Sequence, residues 1–295
     1  MEQKYGGIEK GYPNLRRYFG KAIIYLQLVR PFTLISPLLV GLLGVLASTQ
    51  DFNFDILKTC IYVGVTLMLA QAVGQIINQY ADVEIDKICK PYRPLPSSAI
   101  SKEEALGIAW LLAIISIARA FTVTEFFGLV TTILIFFAVF YSLSPFSPRR
   151  IHPVLNILWM AVSRGFLPMF AVWSIYGSIG KAWLYSILAF LWVLSLQATK
   201  DINDAEADKK FGIKTMPNTY GIRGFLVFAT IVTILMYLYS ITYLPYMLIL
   251  VPTSILAFWG LNRKVKWMEN RLGWILFYVG LSEIYLIMFV GEHIL

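Results

Sequence analysis

The chain has 295 residues, of which 58% are apolar and 14% charged, with a mean hydropathy of +0.68 and a formal net charge of +8. A soluble domain carries about a quarter charged residues, so this balance excludes disorder, collagen, coiled coil and an ordinary soluble enzyme. The apolar residues gather in blocks of roughly 20, the length at which a helix crosses a bilayer.

In chain order, residues 1–21 are polar, basic and aromatic, and are expected to form a cytoplasmic or interfacial segment. Residues 22–295 are expected to form a single transmembrane domain. A helix from about Pro13 to Leu28 would lie on the bilayer surface with Arg16, Arg17 and Lys21 toward the head groups. The apolar run after it is long enough to span, so it reads as an anchor and not as a cleaved signal. Apolar blocks then fall at about 25–48, 56–81, 103–120, 125–143, 153–178, 181–199, 222–240, 243–261 and 272–291. They are continuous, whereas barrel strands are shorter and alternate in polarity. The expected fold is therefore all-α, a multi-pass membrane protein of nine transmembrane helices.

The cations orient those helices. With the N-terminus inside, the inner segments hold Lys4, Lys10, Arg16, Arg17 and Lys21; Lys87, Lys90, Arg93 and Lys102; Arg149 and Arg150; Lys200, Lys209, Lys210, Lys214 and Arg223; and Arg263, Lys264, Lys266 and Arg271. The outer loops hold Lys58, Arg119 and Lys181. Twenty against three obeys the positive-inside rule. It implies a cell-membrane protein with a cytoplasmic N-terminus and an outer C-terminus. The net positive charge then reflects topology and anionic lipid, not nucleic acid. The two cysteines, Cys60 and Cys89, have no metal or disulfide spacing and read as incidental.

The acids are less evenly spread. Asn78, Asp82, Glu84 and Asp86 follow the second block, and Asp201, Asp204, Glu206 and Asp208 follow the sixth. Four spans separate the two clusters, so both emerge on the same side. At helical spacing Asn78, Asp82 and Asp86 share one face, and Asp204 and Asp208 share another with Asp201 a turn earlier. Like charges so placed repel, and proximity to lipid sharpens the repulsion. Mg²⁺ is the natural counter-ion, because it takes one or two carboxylates and fills its shell with water and phosphate oxygens. The alternative is a pair of solvated helix ends, with Asp82 and Asp86 paired to Lys87 and Lys90, and Asp204 and Asp208 to Lys200 and Lys209. The match of spacing, side and helix context favours the metal. A basic loop with proline follows each stripe, at Lys87–Pro96 and at Lys209–Pro217. Such cations would neutralise a departing diphosphate.

These motifs resemble the UbiA superfamily of intramembrane prenyltransferases. The stretch Asn78-x-x-x-Asp82-x-x-x-Asp86 with Lys90-Pro-x-Arg93-Pro is similar to that family's first signature. Asp201-x-x-Asp204-x-x-x-Asp208 with Gly212-Ile-Lys-Thr-x-Pro217 is similar to its second. The resemblance implies a central cavity open to lipid and Mg²⁺-dependent prenyl transfer from a prenyl diphosphate to a lipophilic acceptor. It assigns Asp82, Asp86, Asp204 and Asp208 to Mg²⁺–diphosphate, and Asn78 and Asp201 to the polar shell around it. Lys90, Arg93, Lys209 and Lys214 would contact diphosphate, and Arg30, in the Arg-Pro pair opening the first span, would line the cavity. Two features depart from the pattern. Tyr141 is followed by Arg149 and Arg150 and not by a nearby lysine, and Pro96 is followed by Ser97 and Ser98 where a glycine is usual.

An allylic cation is stabilised by aromatic faces, and among the 20 Phe, 17 Tyr and 8 Trp Tyr141 and Trp192 are the expected cavity-lining residues. Arg164 and Glu283 lie mid-span in the fifth and ninth blocks. They would either pair with each other, or Arg164 would recognise an anionic acceptor. The leading expectation is C-alkylation of an aromatic quinone precursor. O-alkylation of a glycerol phosphate lipid, as by a digeranylgeranylglyceryl phosphate synthase, comes next, and a tetrapyrrole acceptor third. A cation-coupled transporter fits less well, because its carboxylates would sit at the midplane. No obligatory protein partner is expected.

Overall fold

The structure is a computed structural model that describes residues 20–49, 51–202, 204–243 and 273–293. Among the described residues every regular element is helical. Helix α1 (Lys21–Val29) leads through a 3-10 turn (Pro31–Leu34) into α2 (Ile35–Ser48). Helix α3 (Phe54–Ala81) continues into the short α4 (Val83–Cys89). Then come α5 (Lys102–Phe121), α6 (Glu125–Phe140), α7 (Pro148–Ile151) and α8 (Pro153–Ala161), which joins α9 (Leu167–Trp173) through a π turn. Helix α10 (Ile179–Leu196) ends in a 3-10 turn (Gln197–Asp201), followed by α11 (Ala205–Lys210), α12 (Met216–Tyr243) and α13 (Gly273–His293).

Pro31–Ser48, Phe54–Ala81, Lys102–Phe121, Pro153–Trp173, Ile179–Thr199 and Met216–Thr242 are each long and apolar enough to cross a bilayer. Helix α6 is a shorter apolar helix, and α13, with 21 residues, covers the last expected block. The expected block at 243–261 lies outside the described residues except for its first residue, and the segment 1–19 lies outside them entirely. The multi-pass reading holds: among the described residues six helices are long and apolar enough to cross, and helices occupy eight of the nine expected blocks. Lipid-facing surfaces are apolar, as on α5 (Trp110, Leu111, Ile114) and α12 (Val227, Ile231, Ile234, Leu238), all exposed.

Two expected blocks are interrupted, each for a backbone reason. The first block is not one span: it breaks at Arg30, whose φ of 56° and ψ of 70° are left-handed. Pro31 has no N–H to continue the helix. The Thr33 N–H and hydroxyl both donate to the Arg30 carbonyl, at 2.9 and 2.8 Å, and Gln79 Nε2 donates to the Leu28 carbonyl. The break therefore leaves Arg30 at the bend between α1 and the first span. In the fifth block, Pro168 cannot donate to the Arg164 carbonyl four residues earlier. The helix adjusts with a π turn over Val162–Phe166, in which the Leu167 N–H reaches the Val162 carbonyl. Such bulges re-aim the side chains they carry, and here they include Arg164.

Lipid tails are as apolar as side chains, so helices in a bilayer associate by close contact and not by hydrophobic exclusion. Small residues supply that contact. Gly41 of α2 lies directly against the Gly64 backbone of α3, and a Cβ at Gly165 would sit 2.6 Å from the Ala189 carbonyl oxygen of α10. Polar ties add to it. The Ser116 hydroxyl donates to the Thr66 carbonyl at 3.0 Å, and the Arg119 guanidinium stacks 3.7 Å over the Tyr62 ring. At the same end of the bundle, Glu292 pairs with Lys181 and accepts from the Tyr185 hydroxyl, and His293 meets the Thr49 carbonyl. At the other end, Lys90 pairs with Asp204 at 3.0 Å, so the two acidic motifs do share a side.

Replacing Gly41 with Leu should force α2 away from α3 and cost roughly 1–3 kcal/mol, the usual penalty of overpacking. Thermal unfolding in detergent would show it as a lowered Tm. Gly107→Leu is the control: no atom lies within 4 Å of its Cβ position, and its Tm should match or exceed that of the parent protein.

Candidate active site

The first acidic stripe survives the end of its helix. Asp82 leaves helical geometry at φ −101° and ψ 13°. Even so, the Asp82 N–H donates to the Asn78 carbonyl at 3.0 Å, that of Asp86 to Asp82 at 2.8 Å, and that of Lys90 to Asp86 at 2.7 Å. These i to i+4 bonds keep Asn78, Asp82, Asp86 and Lys90 on one face across the junction of α3 and α4. The second stripe is set the same way, with the Asp208 N–H donating to the Asp204 carbonyl at 2.8 Å.

Both stripes face a cavity of about 330 Å³. Of the residues expected from the sequence, Arg30, Asn78, Asp82, Asp86, Lys90, Arg93, Tyr141, Asp201, Asp204 and Asp208 all line it. Its apolar wall includes Leu67, Leu134 and Met160, and its aromatic wall consists of Phe32, Tyr92, Phe137, Tyr141 and Tyr278. Trp192 does not line it. That ring is fully buried in the core against Gly280 of α13, because the inward face of α10 packs on its neighbours and not on the cavity.

The carboxylates are held by cations other than those nearest in sequence. Asp82, 8% exposed, accepts a two-pronged bond from Arg149, 4% exposed, with Nη1 to Oδ2 at 2.7 Å and Nη2 to Oδ1 at 2.6 Å. Asn78 Nδ2 adds a bond to the same Oδ2 at 2.9 Å and another to the Ser142 hydroxyl. Asp86 accepts from Arg93 Nη1 at 2.8 Å, and Asp204 from Lys90 at 3.0 Å. Lys87 turns outward and pairs with Glu84. The pattern of solvated helix ends is thus absent for Asp82 and Asp86. Burial pushes the Asp86 carboxyl up, against the pull of Arg93 and Lys90. Burial alone would lower the Arg149 guanidinium, but the Asp82 carboxylate more than offsets it and the net shift is upward. Both charges of the Arg149–Asp82 pair depend on each other.

Arg149 answers the departure seen after Tyr141. The chain folds back so that the Ser147 hydroxyl donates to the Tyr141 carbonyl at 2.7 Å and the Arg149 guanidinium lies 5.4 Å from the centre of the Tyr141 ring. A cation eight residues on thereby reaches the cavity. The other departure has a backbone counterpart: Ser98 takes φ 57°, a conformation that favours glycine.

Two expected diphosphate contacts are not on the cavity wall. Lys209 is exposed on α11. Lys214 donates to the Ile151 carbonyl, its N–H to the Arg149 carbonyl at 2.6 Å, and its own carbonyl accepts from Asn156. Its loop is architectural. Gly212, at φ 71°, closes α11 with Ile213 N–H to Asp208 O and Gly212 N–H to Lys209 O, the paired bonds that end many helices. Thr215 and Asn218 then cap α12 reciprocally. The loop aligns Asp208 with Arg149 through backbone. Cys89, read as incidental, lines the cavity, and burial pushes its thiol up, away from the thiolate a metal would need.

Sequence spacing left Gln75, Ser163 and Tyr278 unassigned to the site, yet all line the cavity, as does Arg164, expected either to pair with Glu283 or to recognise an anionic acceptor. Gln75 accepts from Arg30 at 3.1 Å. Arg164 has Tyr141, Tyr278, Arg30 and Asp201 as electrostatic neighbours. Its charge therefore faces the cavity.

Among the described residues no three His, Cys, Asp or Glu side chains cluster tightly enough to hold an ion alone. The donors still suit Mg²⁺, which needs one or two carboxylates and completes its shell from phosphate and water. Thiol and imidazole metals find no set here.

The sequence pattern of the UbiA prenyltransferase family matches residues 34–288. The chain is 33% identical over 201 residues to a digeranylgeranylglyceryl phosphate synthase of Thermococcus sibiricus, covering 67% of this chain and 68% of that one. It is 31% identical over 235 residues to the enzyme of that name from Methanocaldococcus jannaschii, covering 78% of each. A UbiA homologue from Archaeoglobus fulgidus bound to GPP and Mg²⁺ superposes with a TM-score of 0.71 at 20% identity, over 90% of this chain and 98% of that one. A structure concerned with digeranylgeranylglyceryl phosphate synthase in membranes superposes with a TM-score of 0.66 at 26% identity, over 92% and 98%.

Removing the Arg149 charge should strand a buried carboxylate. Arg149→Met is expected to destabilise by roughly 3–5 kcal/mol. Adding Asp82→Asn should recover part of that loss, and a double-mutant cycle in Tm would read the coupling. Lys214→Ala should leave the KM for a prenyl diphosphate within about twofold of the parent in steady-state assays, because its ammonium faces away from the cavity.

Proposed function

This chain belongs to the UbiA prenyltransferase family and is an intramembrane prenyltransferase; on that premise we propose that it transfers a prenyl group from a prenyl diphosphate to the hydroxyl of a glycerol phosphate lipid, with Mg²⁺ as cofactor. The acceptor expected first, an aromatic quinone precursor, gives way to the glycerol phosphate. The observation that carries this reading is the name shared by relatives that match over two thirds or more of their length. A cavity rich in guanidinium groups is consistent with an acceptor that carries its own phosphate.

Asp82, Asp86, Asp204 and Asp208 would hold Mg²⁺ and, through it, the diphosphate; Asn78 and Asp201 would complete the polar shell. When bound, Mg²⁺ supplies charge neutralisation to the diphosphate oxygens. Lys90, Arg93 and Arg149 start on the aspartates and lie within the same cavity. Diphosphate oxygens would offer these three cations further acceptors within the cavity. As the allylic C–O bond to diphosphate breaks, the cation-rich mouth stabilises the leaving group. The aromatic wall faces the positive carbon, each favourable ring contributing about 0.5–2 kcal/mol. The acceptor oxygen forms the new C–O bond, and its hydroxyl proton passes to a carboxylate or phosphate oxygen of the site. Apolar walls keep bulk water, the competing nucleophile, away. The basic end would face the cytoplasm of the cell membrane.

Purified protein in detergent, supplied with Mg²⁺ and geranylgeranyl diphosphate, should convert geranylgeranylglyceryl phosphate to the diether. It should leave hydroxybenzoate, a naphthoate and a tetrapyrrole unchanged, as read by mass spectrometry. Chelation and Asp82→Asn should each lower turnover by at least about 100-fold, on the order of 2.7 kcal/mol or more in the barrier. Transfer to an aromatic acceptor instead would sink the acceptor assignment, and turnover by Asp82→Asn at the parental rate would sink the metal assignment.

A further inference from the structure

Arg164 is a charge within a membrane span, and the motif chemistry does not use it. It sits in the π turn between α8 and α9, and its side chain lines the cavity. Of the five cations that line the cavity among the described residues, Arg149, Arg93 and Lys90 are each held by a motif aspartate. Arg30 is bonded to Gln75. Among the described residues none of the ion pairs or hydrogen bonds engages the Arg164 guanidinium. Its electrostatic surroundings are the hydroxyls of Tyr141 and Tyr278, the Arg30 guanidinium and the Asp201 carboxylate.

Among the described residues Arg164 is thus the cavity-lining cation that no carboxylate or hydrogen-bond acceptor holds. A guanidinium at membrane depth is costly unless an anion or water offsets it. The backbone distortion imposed by Pro168 places it there. Resting on the acceptor reading above, we propose that Arg164 binds the phosphate monoester of the acceptor lipid and so holds the acceptor hydroxyl toward the motif end. The guanidinium fork suits two phosphate oxygens at once. Within one cavity, this divides the arginines by substrate: those on aspartates serve the donor, and Arg164 serves the acceptor.

The test compares Arg164→Gln and Arg164→Lys with the parent, using geranylgeranylglyceryl phosphate, its dephosphorylated analogue geranylgeranylglycerol, and geranylgeranyl diphosphate. Loss of a charge-assisted contact should raise the KM for the phosphorylated acceptor roughly ten- to a hundredfold. The KM for the donor should stay within about twofold, and the parent's preference for the phosphorylated over the dephosphorylated acceptor should shrink by the same factor in Arg164→Gln. Arg164→Lys, which keeps the charge and loses the fork, should fall between. The Tm of Arg164→Gln should equal or exceed that of the parent, because an uncompensated charge is removed. A rise in the donor KM, or an unchanged acceptor KM, in an enzyme that does use the glycerol phosphate lipid would overturn this inference alone. A parent enzyme that uses no glycerol phosphate lipid overturns the acceptor reading and this inference with it. If Arg164→Gln does not fold, the residue is structural and the inference fails, unless Arg164→Lys folds and shows the selective rise in acceptor KM.

Discussion

Carboxylates gathered at one end of a membrane bundle repel one another, and Asp82 and Asp86 are buried from the water that would screen them. The rest of the site follows from how that repulsion is met. Asp82 is met by the fork of Arg149, Asp86 by Arg93 and Asp204 by Lys90. Each cation comes from beyond the helix that carries its aspartate, and two come from a different motif or loop. The charges thereby tie together the ends of α3, α7 and α10 that the apolar spans alone would leave loosely registered. Lipid offers no hydrophobic force between helices, so such polar ties and glycine contacts carry much of the specificity.

The same pairs make the site exchangeable. A carboxylate held by a guanidinium can be passed to a divalent cation if the guanidinium is given phosphate oxygens in return. On the proposed function, diphosphate and Mg²⁺ would therefore be taken up more readily together than singly. In that reading the reactive carbon would lie against the aromatic wall of the cavity. Prolines also shape the cavity wall. Pro31 breaks the first span beside Arg30, and Pro168 opens the π turn that carries Arg164. Both arginines reach the cavity from backbone that regular helices would not provide.

The second basic loop shows how a motif can be read correctly and explained differently. Gly212 through Pro217 has the composition of a phosphate-binding loop, yet Lys214 points to a backbone carbonyl outside the cavity. Its recurring residue types meet local demands: glycine for the left-handed end of α11, and threonine with Asn218 to cap α12. By holding the Arg149 carbonyl through its own N–H, the loop keeps Arg149 aimed at Asp82.

What the amino-acid sequence determined by itself is whatever depends on short range and on solvent. Continuous apolar blocks dictate helices in a bilayer, because every backbone polar group must be satisfied within its own segment. Helical spacing places Asn78, Asp82 and Asp86 on one face, and the number of intervening spans places Asp204 and Asp208 on the same side. Tertiary structure alone decided which cation meets which carboxylate. Arg149 lies 67 residues from Asp82, and Lys90 lies 114 residues from Asp204, distances over which periodicity carries no information. Likewise Trp192 is core and Arg164 is cavity, although both sit in apolar helices. The face a helix turns inward is set by the small residues and proline-induced distortions of its neighbours, and a single span does not encode them.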